Sequence, residues 1–444
     1  MSVLTNESFT PLEDSLARLD RAVSPLVGLV TGITSFLVAD DEGRLPNCSC
    51  DAASIRRFHA DAEPPTGNGA HPDTRRARAA AIGETIERYS GLFVPPDRLV
   101  RTTAAALGAS TVPPARFALF HPKQHDSPGF PFAPYTEDTV TDFVEGMSLV
   151  DGSTSYLPAE LVYMCPPTAY GRRIAYVTSS GLACGPTFTE AVLAALLELV
   201  ERDAVMLAWK GRISLPQLDW AGHDVLEELE HRYFRVGGLS YSVLDGSGFL
   251  GVPVAIGVLR GARGSRTALA VGAGTAARVE DAWLKALTEC FGVRSWLIVQ
   301  AALHPDRLLP TADHVRSFDD HMRFFADDSR AGLARFLDSS PRRTRVADIA
   351  PLEGSTPRDQ IDAVSARLGR LGITAYAVDV TSPDVDELGL KVARVIAPEL
   401  CALDVLHTAR YLGGARLYSA AYEAGLLPSR LRFSDLNPLP HPFP

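Results

Sequence analysis

The spacing of apolar and polar positions changes period several times along the chain, and each change marks an expected element. Pro11 to Val23 reads as a first helix that ends at Ser24-Pro25, because a residue before proline is steered away from the helical region. The run VGLVTGITSFLV then reads as a strand with its turn. From Arg75 to Phe93 the period becomes helical: Ile82, Ile86, Tyr89 and Phe93 share one stripe, and Ala77, Ala80, Glu84 and Glu87 share another. The segment TEAVLAALLELVERDA repeats this arrangement, with Leu193, Leu196, Val200 and Leu207 facing a core and Glu190, Ala194, Glu198 and Glu201 on the second stripe. A third long helix, Glu280 to Val299, carries Ala282, Ala286, Glu289 and Arg294.

Each of the three helices follows small residues. Thr66-Gly67-Asn68-Gly69 is expected to be a tight loop, Ser179 to Gly185 a second loop, and Thr267 to Thr275 a strand ending in a glycine-rich turn. Thr139 to Val150 and Ser153 to Met164 read as strands about an Asp151-Gly152 turn, and Ala175 to Thr178 as another strand. Ser240 to Val258 gives two β-rich runs, and ITAYAVDV and LKVARVIA add further β-rich segments. The proline- and aromatic-rich residues 94 to 140 read as an irregular, well-packed connection, and residues 304 to 355 as a charged insertion. The tail Leu436 to Pro444 repeats Pro-x-Pro-x-Pro and is expected to be stiff and extended. The expected fold class is α+β, with mixed, antiparallel-rich sheets and long helices. Its expected divisions are residues 1–60, 61–435 and 436–444.

Composition narrows the chemistry. With 46% hydrophobic residues in 444, the chain can bury a substantial core, and a formal charge of -10 argues against unspecific nucleic-acid binding. Six scattered cysteines fit reduced thiols better than a disulfide framework, and Cys48-Ser49-Cys50 lacks a second Cys/His pair at zinc spacing. The first residues lack the basic start and apolar run of a secretion signal, and no apolar run reaches the roughly 18 to 20 residues that a spanning helix needs. A soluble, cytoplasmic protein is expected.

Glutamates clustered without histidines suit Mg²⁺, which prefers hard oxygen ligands and retains waters and phosphate oxygens. Arg202 and Arg294 add fixed positive charge for phosphates, and no G-x-x-x-x-G-K-[ST] is present. A single Glu-x-x-Glu-Arg on an amphipathic helix is more often a solvated face. Two copies beside alanines leave a Mg²⁺-nucleotide site and a solvated face both open.

The segments SPLVG, ARAAAIGETIERYSG, DFVEGMSL, TSSGLACGPTFTEAVLAALLELVERDA, the Ala282 to Arg294 helix and the closing LNPLPHPFP together resemble the YcaO family. Within it they are most similar to the azoline-forming cyclodehydratases of thiazole/oxazole-modified microcin biosynthesis. The resemblance implies an ATP cleft: Mg²⁺ on Glu84, Glu87, Glu190, Glu198 and Glu201; nucleotide contacts from Glu84, Glu87, Glu198, Arg202 and Arg294; and a catalytic carboxylate at Pro444. It further implies that Cys, Ser or Thr of a ribosomal precursor peptide attacks the preceding carbonyl, whose oxygen is phosphorylated by ATP and then leaves. A separate E1-like, leader-binding partner is expected, and a homodimer is left open. Asn68, Ala80, Ser180 and Gly292 stand where the family usually has Lys, Ser, Asn and Gln. This keeps a non-catalytic scaffold open beside thioamide- or amidine-forming relatives.

Overall fold

The structure is a computed structural model that describes residues 3–36, 43–56, 63–165, 172–262, 267–305 and 310–444. The chain forms two compact units. The first comprises Met1–Phe36, Asn47–Leu199 and Glu353–Leu400; the second comprises Leu37–Pro46, Val200–Leu352 and Cys401–Pro444. In chain order the first unit has α1 (Leu12–Asp20), β1 (Val30–Phe36), β2 (Asn47–Ala52), β3 (Thr66–Ala70) and α2 (Thr74–Gly91). It continues through β4 (Val100–Thr102), β5 (Thr141–Ser148), β6 (Thr154–Pro158) and β7 (Leu182–Gly185) into α3 (Phe188–Lys210), whose second half belongs to the second unit. There follow β8 (Gln217–Asp219), β9 (Ser240–Asp245), β10 (Val254–Arg260), β11 (Leu269–Thr275), α4 (Val279–Leu303) and β12 (Arg343–Arg345). The chain then returns to the first unit as α5 (Pro357–Gly369), β13 (Tyr376–Asp379) and β14 (Lys391–Ile396).

The first unit holds two antiparallel sheets, one ordered β1-β2-β3 and the other β4-β5-β13-β14-β7 with β6 added beside β5. The second holds one sheet, β11-β10-β9-β8-β12, antiparallel except for the parallel β8–β12 pair. The α+β, antiparallel-rich expectation therefore holds. The helix stripes hold too: Ile82, Ile86 and Tyr89 are buried on α2, as are Leu193, Leu196, Val200 and Leu207 on α3. Phe93 lies beyond the end of α2 and stays partly exposed. Asp73 caps α2 by accepting from the Arg75 N–H at 2.9 Å, satisfying one of the first-turn donors.

Four local expectations are corrected. Thr66–Gly69 is a strand, not a loop, and its glycines are there for closeness. A Cβ on Gly67 would lie 2.4 Å from the Ala81 oxygen, and one on Gly69 would lie 2.0 Å from the Ala77 oxygen, so β3 rests directly on the α2 backbone. The second unit uses the same device, where a Cβ on Gly274 of β11 would lie 2.4 Å from the Ala282 oxygen of α4. Ser153–Met164 stops being a strand at Pro158, which has no N–H to donate and instead caps a helical turn, Ala159–Val162. Ala175–Thr178 joins no sheet. Flanking backbone groups bond elsewhere, as the Ile174 N–H does to Glu160 and the Thr178 oxygen to Arg394. Loop expectations at Ser179–Gly185 hold only as far as Gly181, since β7 begins at Leu182.

Residues 94–140 are an irregular, packed connection, as their composition indicates. The Phe120 and Phe132 rings stack with centroids 4.9 Å apart, and Phe130 meets Phe120 edge-on at 5.0 Å. The tail is also packed. In the second unit the Asn437 N–H donates to the Lys210 oxygen at 2.8 Å, the Trp209 indole donates to the Leu439 oxygen at 3.3 Å, and Phe443 is fully buried.

Gly69→Ala forces the β3–α2 contact apart and should lower the urea-unfolding free energy by about 1–3 kcal/mol, the usual cost of overpacking. Asn68→Ala, whose backbone N–H bond to Glu84 survives, should leave it within about 0.5 kcal/mol.

Candidate active site

In the first unit α2 and α3 bring Glu84, Glu87 and Glu198 together. Glu84 accepts from the Asn68 N–H and from Arg88 Nη2, the latter at 2.7 Å. Glu198 Oε2 accepts from the Gly181 N–H at 3.0 Å. Glu87 keeps part of its surface open, yet its packing is dense enough to raise its carboxyl well above the usual range, first by burial and then by the charges of Glu198 and Glu84. Arg88 and the buried Arg394 of β14 offset part of that repulsion.

A second acidic group lies in the second unit. Glu201 is only 4% exposed, stands 3.5 Å from Arg202 and 3.8 Å from Lys285 Nζ, and its Oε2 has no hydrogen-bond partner among the described residues. Glu289 of α4 accepts from the Ala273 N–H. Burial, together with the Glu201 charge and against the attraction of Arg202, lifts its carboxyl to about 7. Neither Glu289 nor Lys285 was assigned a role by spacing, although Glu289 sits on the helix singled out for Arg294. The i,i+4 pair Lys285/Glu289 was the available signal.

The remaining expected site residues have other surroundings. Glu190 is eight residues, about 12 Å along the helix, from Glu198. Its oxygens accept from the Thr10 N–H at 2.8 Å, Thr10 Oγ1 at 2.9 Å and Thr187 Oγ1 at 2.9 Å, so it ties the N-terminal segment to α3 and is not in the Glu84/Glu87/Glu198 group. Arg294 is buried and donates through Nη1 to the Thr267 oxygen at 3.1 Å and to Thr267 Oγ1. Pro444 ends the packed tail and is partly exposed. Ala80 is exposed, Ser180 is half-buried, and a Cβ at Gly292 would meet open space.

These residues fit a magnesium nucleotide. Among the described residues no three His, Cys, Asp or Glu side chains form a ready-made metal cage. Mg²⁺ does not require one: it takes one or two carboxylates and fills its octahedron with water and phosphate oxygens. In the first unit a hard cation would relieve the repulsion that raises Glu87, and in the second unit one would give Glu201 Oε2 the close partner that it lacks.

The comparisons agree with this chemistry. Residues 67–401 match the family model described as YcaO cyclodehydratase, ATP- and Mg²⁺-binding. The chain belongs to the YcaO cyclodehydratase family, a family of ATP-dependent enzymes. A solved heterocyclase in complex with substrate and cofactor superposes with a TM-score of 0.80 at 24% identity, covering 99% of this chain and 59% of that one. The heterocyclase TruD gives 0.70 at 23% identity, covering 99% and 55%. YcaO from Methanopyrus kandleri, bound with AMPPCP and Mg²⁺, gives 0.62 at 19% identity, covering 89% and 92%. These likenesses show a shared fold, and the chain spans less than two thirds of either heterocyclase's length. No curated protein matches the chain. No helix among the described residues is long and apolar enough to cross a membrane.

Glu289 holds its proton more tightly folded than unfolded, so its contribution destabilises the fold as pH rises from about 4.5 through about 7. Glu289→Gln should therefore become progressively more stable relative to wild type between pH 5 and pH 7.5 in metal-free urea unfolding. A pH-independent difference would contradict the raised carboxyl.

Proposed function

We propose that this chain catalyses ATP-dependent cyclodehydration of Cys, Ser or Thr in a ribosomally made precursor peptide, giving thiazoline or oxazoline rings. The observation that carries this reading is the pair of half-buried to buried acidic groups on α2, α3 and α4, in a chain of the YcaO cyclodehydratase family. In the first unit Glu84, Glu87 and Glu198 would offer carboxylates to Mg²⁺; in the second unit Glu201 would do so, with Arg202 and Lys285 available to phosphate oxygens. Glu190 fixes the start of α3, and Arg294 acts from its seat on Thr267.

When bound, Mg-ATP supplies the phosphoryl group that turns a peptide carbonyl oxygen, otherwise a very poor leaving group, into one that can depart. The chain's own part is to position and to stabilise charge. Arg202 and Lys285, beside Glu201, would supply fixed positive charge to phosphate oxygens, which is the expected main contribution in phosphoryl transfer. In this reading the carboxylate of Pro444, at the end of the packed tail, takes the proton of the attacking thiol or hydroxyl. A separate E1-like protein binds the precursor's leader. This is supported by a likeness to one chain of the E. coli microcin synthetase McbBCD complex, which superposes with a TM-score of 0.54 at 14% identity over 83% of this chain. Function in the cytoplasm as a homodimer completes the proposal.

Incubation with an E1-like partner, a precursor peptide and Mg-ATP should release phosphate and remove the mass of one water per ring. Glu201→Gln should lower turnover about 10²-fold or more while the unfolding midpoint is kept. Replacement of oxygen by sulfur in the product would instead indicate a thioamide former, and complex assembly without phosphate release would indicate a scaffold.

A further inference from the structure

Arg394 lies in the middle of β14, paired in register with Leu182 of β7, and is 2% exposed. A guanidinium so deeply placed needs its donors satisfied, and here backbone oxygens do this. Nη1 donates to the Ser180 oxygen at 2.9 Å, Nη2 to the Thr178 oxygen at 2.8 Å, and Nε and Nη2 to the Leu161 oxygen at 3.4 and 3.3 Å. Three carbonyls from two segments, Leu161 and Thr178 to Ser180, are thus gathered on one planar cation.

The turn that Arg394 holds is locked from other sides as well. The Val395 N–H donates to the Gly181 oxygen at 2.7 Å, the Leu182 N–H to the Ser179 oxygen at 2.8 Å, and the Ser180 N–H to Thr178 Oγ1 at 3.2 Å. Gly181 has φ +80°, in the left-handed region that glycine adopts without penalty, and a Cβ there would lie 2.5 Å from the Val395 oxygen. That conformation aims the Gly181 N–H at Glu198 Oε2. Carbonyls turn toward the arginine, and one amide is left pointing at the acid.

Resting on the proposed magnesium-nucleotide site, we propose that Arg394 is a positioning residue. By holding the Thr178 and Ser180 carbonyls it sets the turn that delivers the Gly181 N–H to Glu198, and so fixes that carboxylate for cation and nucleotide binding. Its charge, felt at Glu87, acts in the same direction by easing the approach of like-charged acids. Lysine cannot substitute fully, because a compact ammonium does not span three carbonyls as a planar fork does.

The test uses the full chain with Mg²⁺ and a non-hydrolysable ATP analogue. For Arg394→Met, hydrogen exchange of the 178–182 amides without ligand should accelerate, and calorimetric Kd for the analogue should rise about 10-fold or more, as for loss of a group that orients a metal ligand. Arg394→Lys should fall between wild type and Arg394→Met. Should Arg394→Met fail to fold, Gly181→Ala disturbs the same turn directly and should raise Kd likewise. Leu368→Ala, which opens a cavity in the core beneath α5 and loosens the first unit away from the turn and the acids, should leave Kd of the folded protein unchanged. A folded Arg394→Met or Gly181→Ala with wild-type Kd overturns the proposal, whatever its exchange rate. A wild-type chain that does not bind the analogue overturns the site reading instead, and the exchange rates then report separately on the clamp.

Discussion

Carboxylates of like sign have been brought to half-buried and buried positions on helices whose other faces form the cores, and much of the surrounding structure serves to keep them there. Burying a charge is costly unless it is paired, so each acid should come with a partner or a raised affinity for protons. Glu84 has Arg88 and the Asn68 N–H, Glu198 has the Gly181 N–H, and Glu201 has Arg202 and Lys285 nearby. Glu87 and Glu289 answer by holding protons. Without a cation, this arrangement stores unfavourable electrostatics that ligand binding relieves.

The backbone geometry follows from the same requirement. Glycines in β3 and β11 let strands lie against α2 and α4 at separations that no side chain permits, which fixes the two acidic helices as rigid rods on sheets. In β3 this closeness also brings the Asn68 N–H to Glu84, so a strand edge takes part in holding the acid. Sheet contact, helix position and carboxylate orientation are therefore one linked constraint in the first unit.

The long helices were legible because their apolar stripes repeat over many turns, and Ile82, Ile86, Leu196 and Val200 are buried as that period requires. Thr66–Gly69 was misread because Gly-Asn-Gly has turn composition. Only contact with α2 makes it a strand, and that contact is remote from local spacing. Arg394 was invisible for a related reason. In LKVARVIA the strand is buried on both faces, so alternation carries no information, and the three carbonyls that satisfy the guanidinium come from residues 161 to 180. Spacing paired Glu84 with Glu87 on one helix and placed Glu198 on another, and only the family resemblance implied that they meet. That Glu190 instead binds Thr10 and Thr187 depended on where the N-terminal segment lies, which no periodicity encodes.

The central claim is that the acids repel one another until a cation nucleotide arrives, and thermal unfolding of Glu87→Gln measures it directly. In metal-free buffer near pH 8 the variant should unfold at a higher temperature than wild type, because the cost of keeping an ionisable carboxyl buried beside Glu84 and Glu198 is gone. On adding Mg²⁺ with a non-hydrolysable ATP analogue, wild type should gain stability and the variant should gain little. A variant no more stable than wild type without ligand, and equally stabilised with it, would contradict the account.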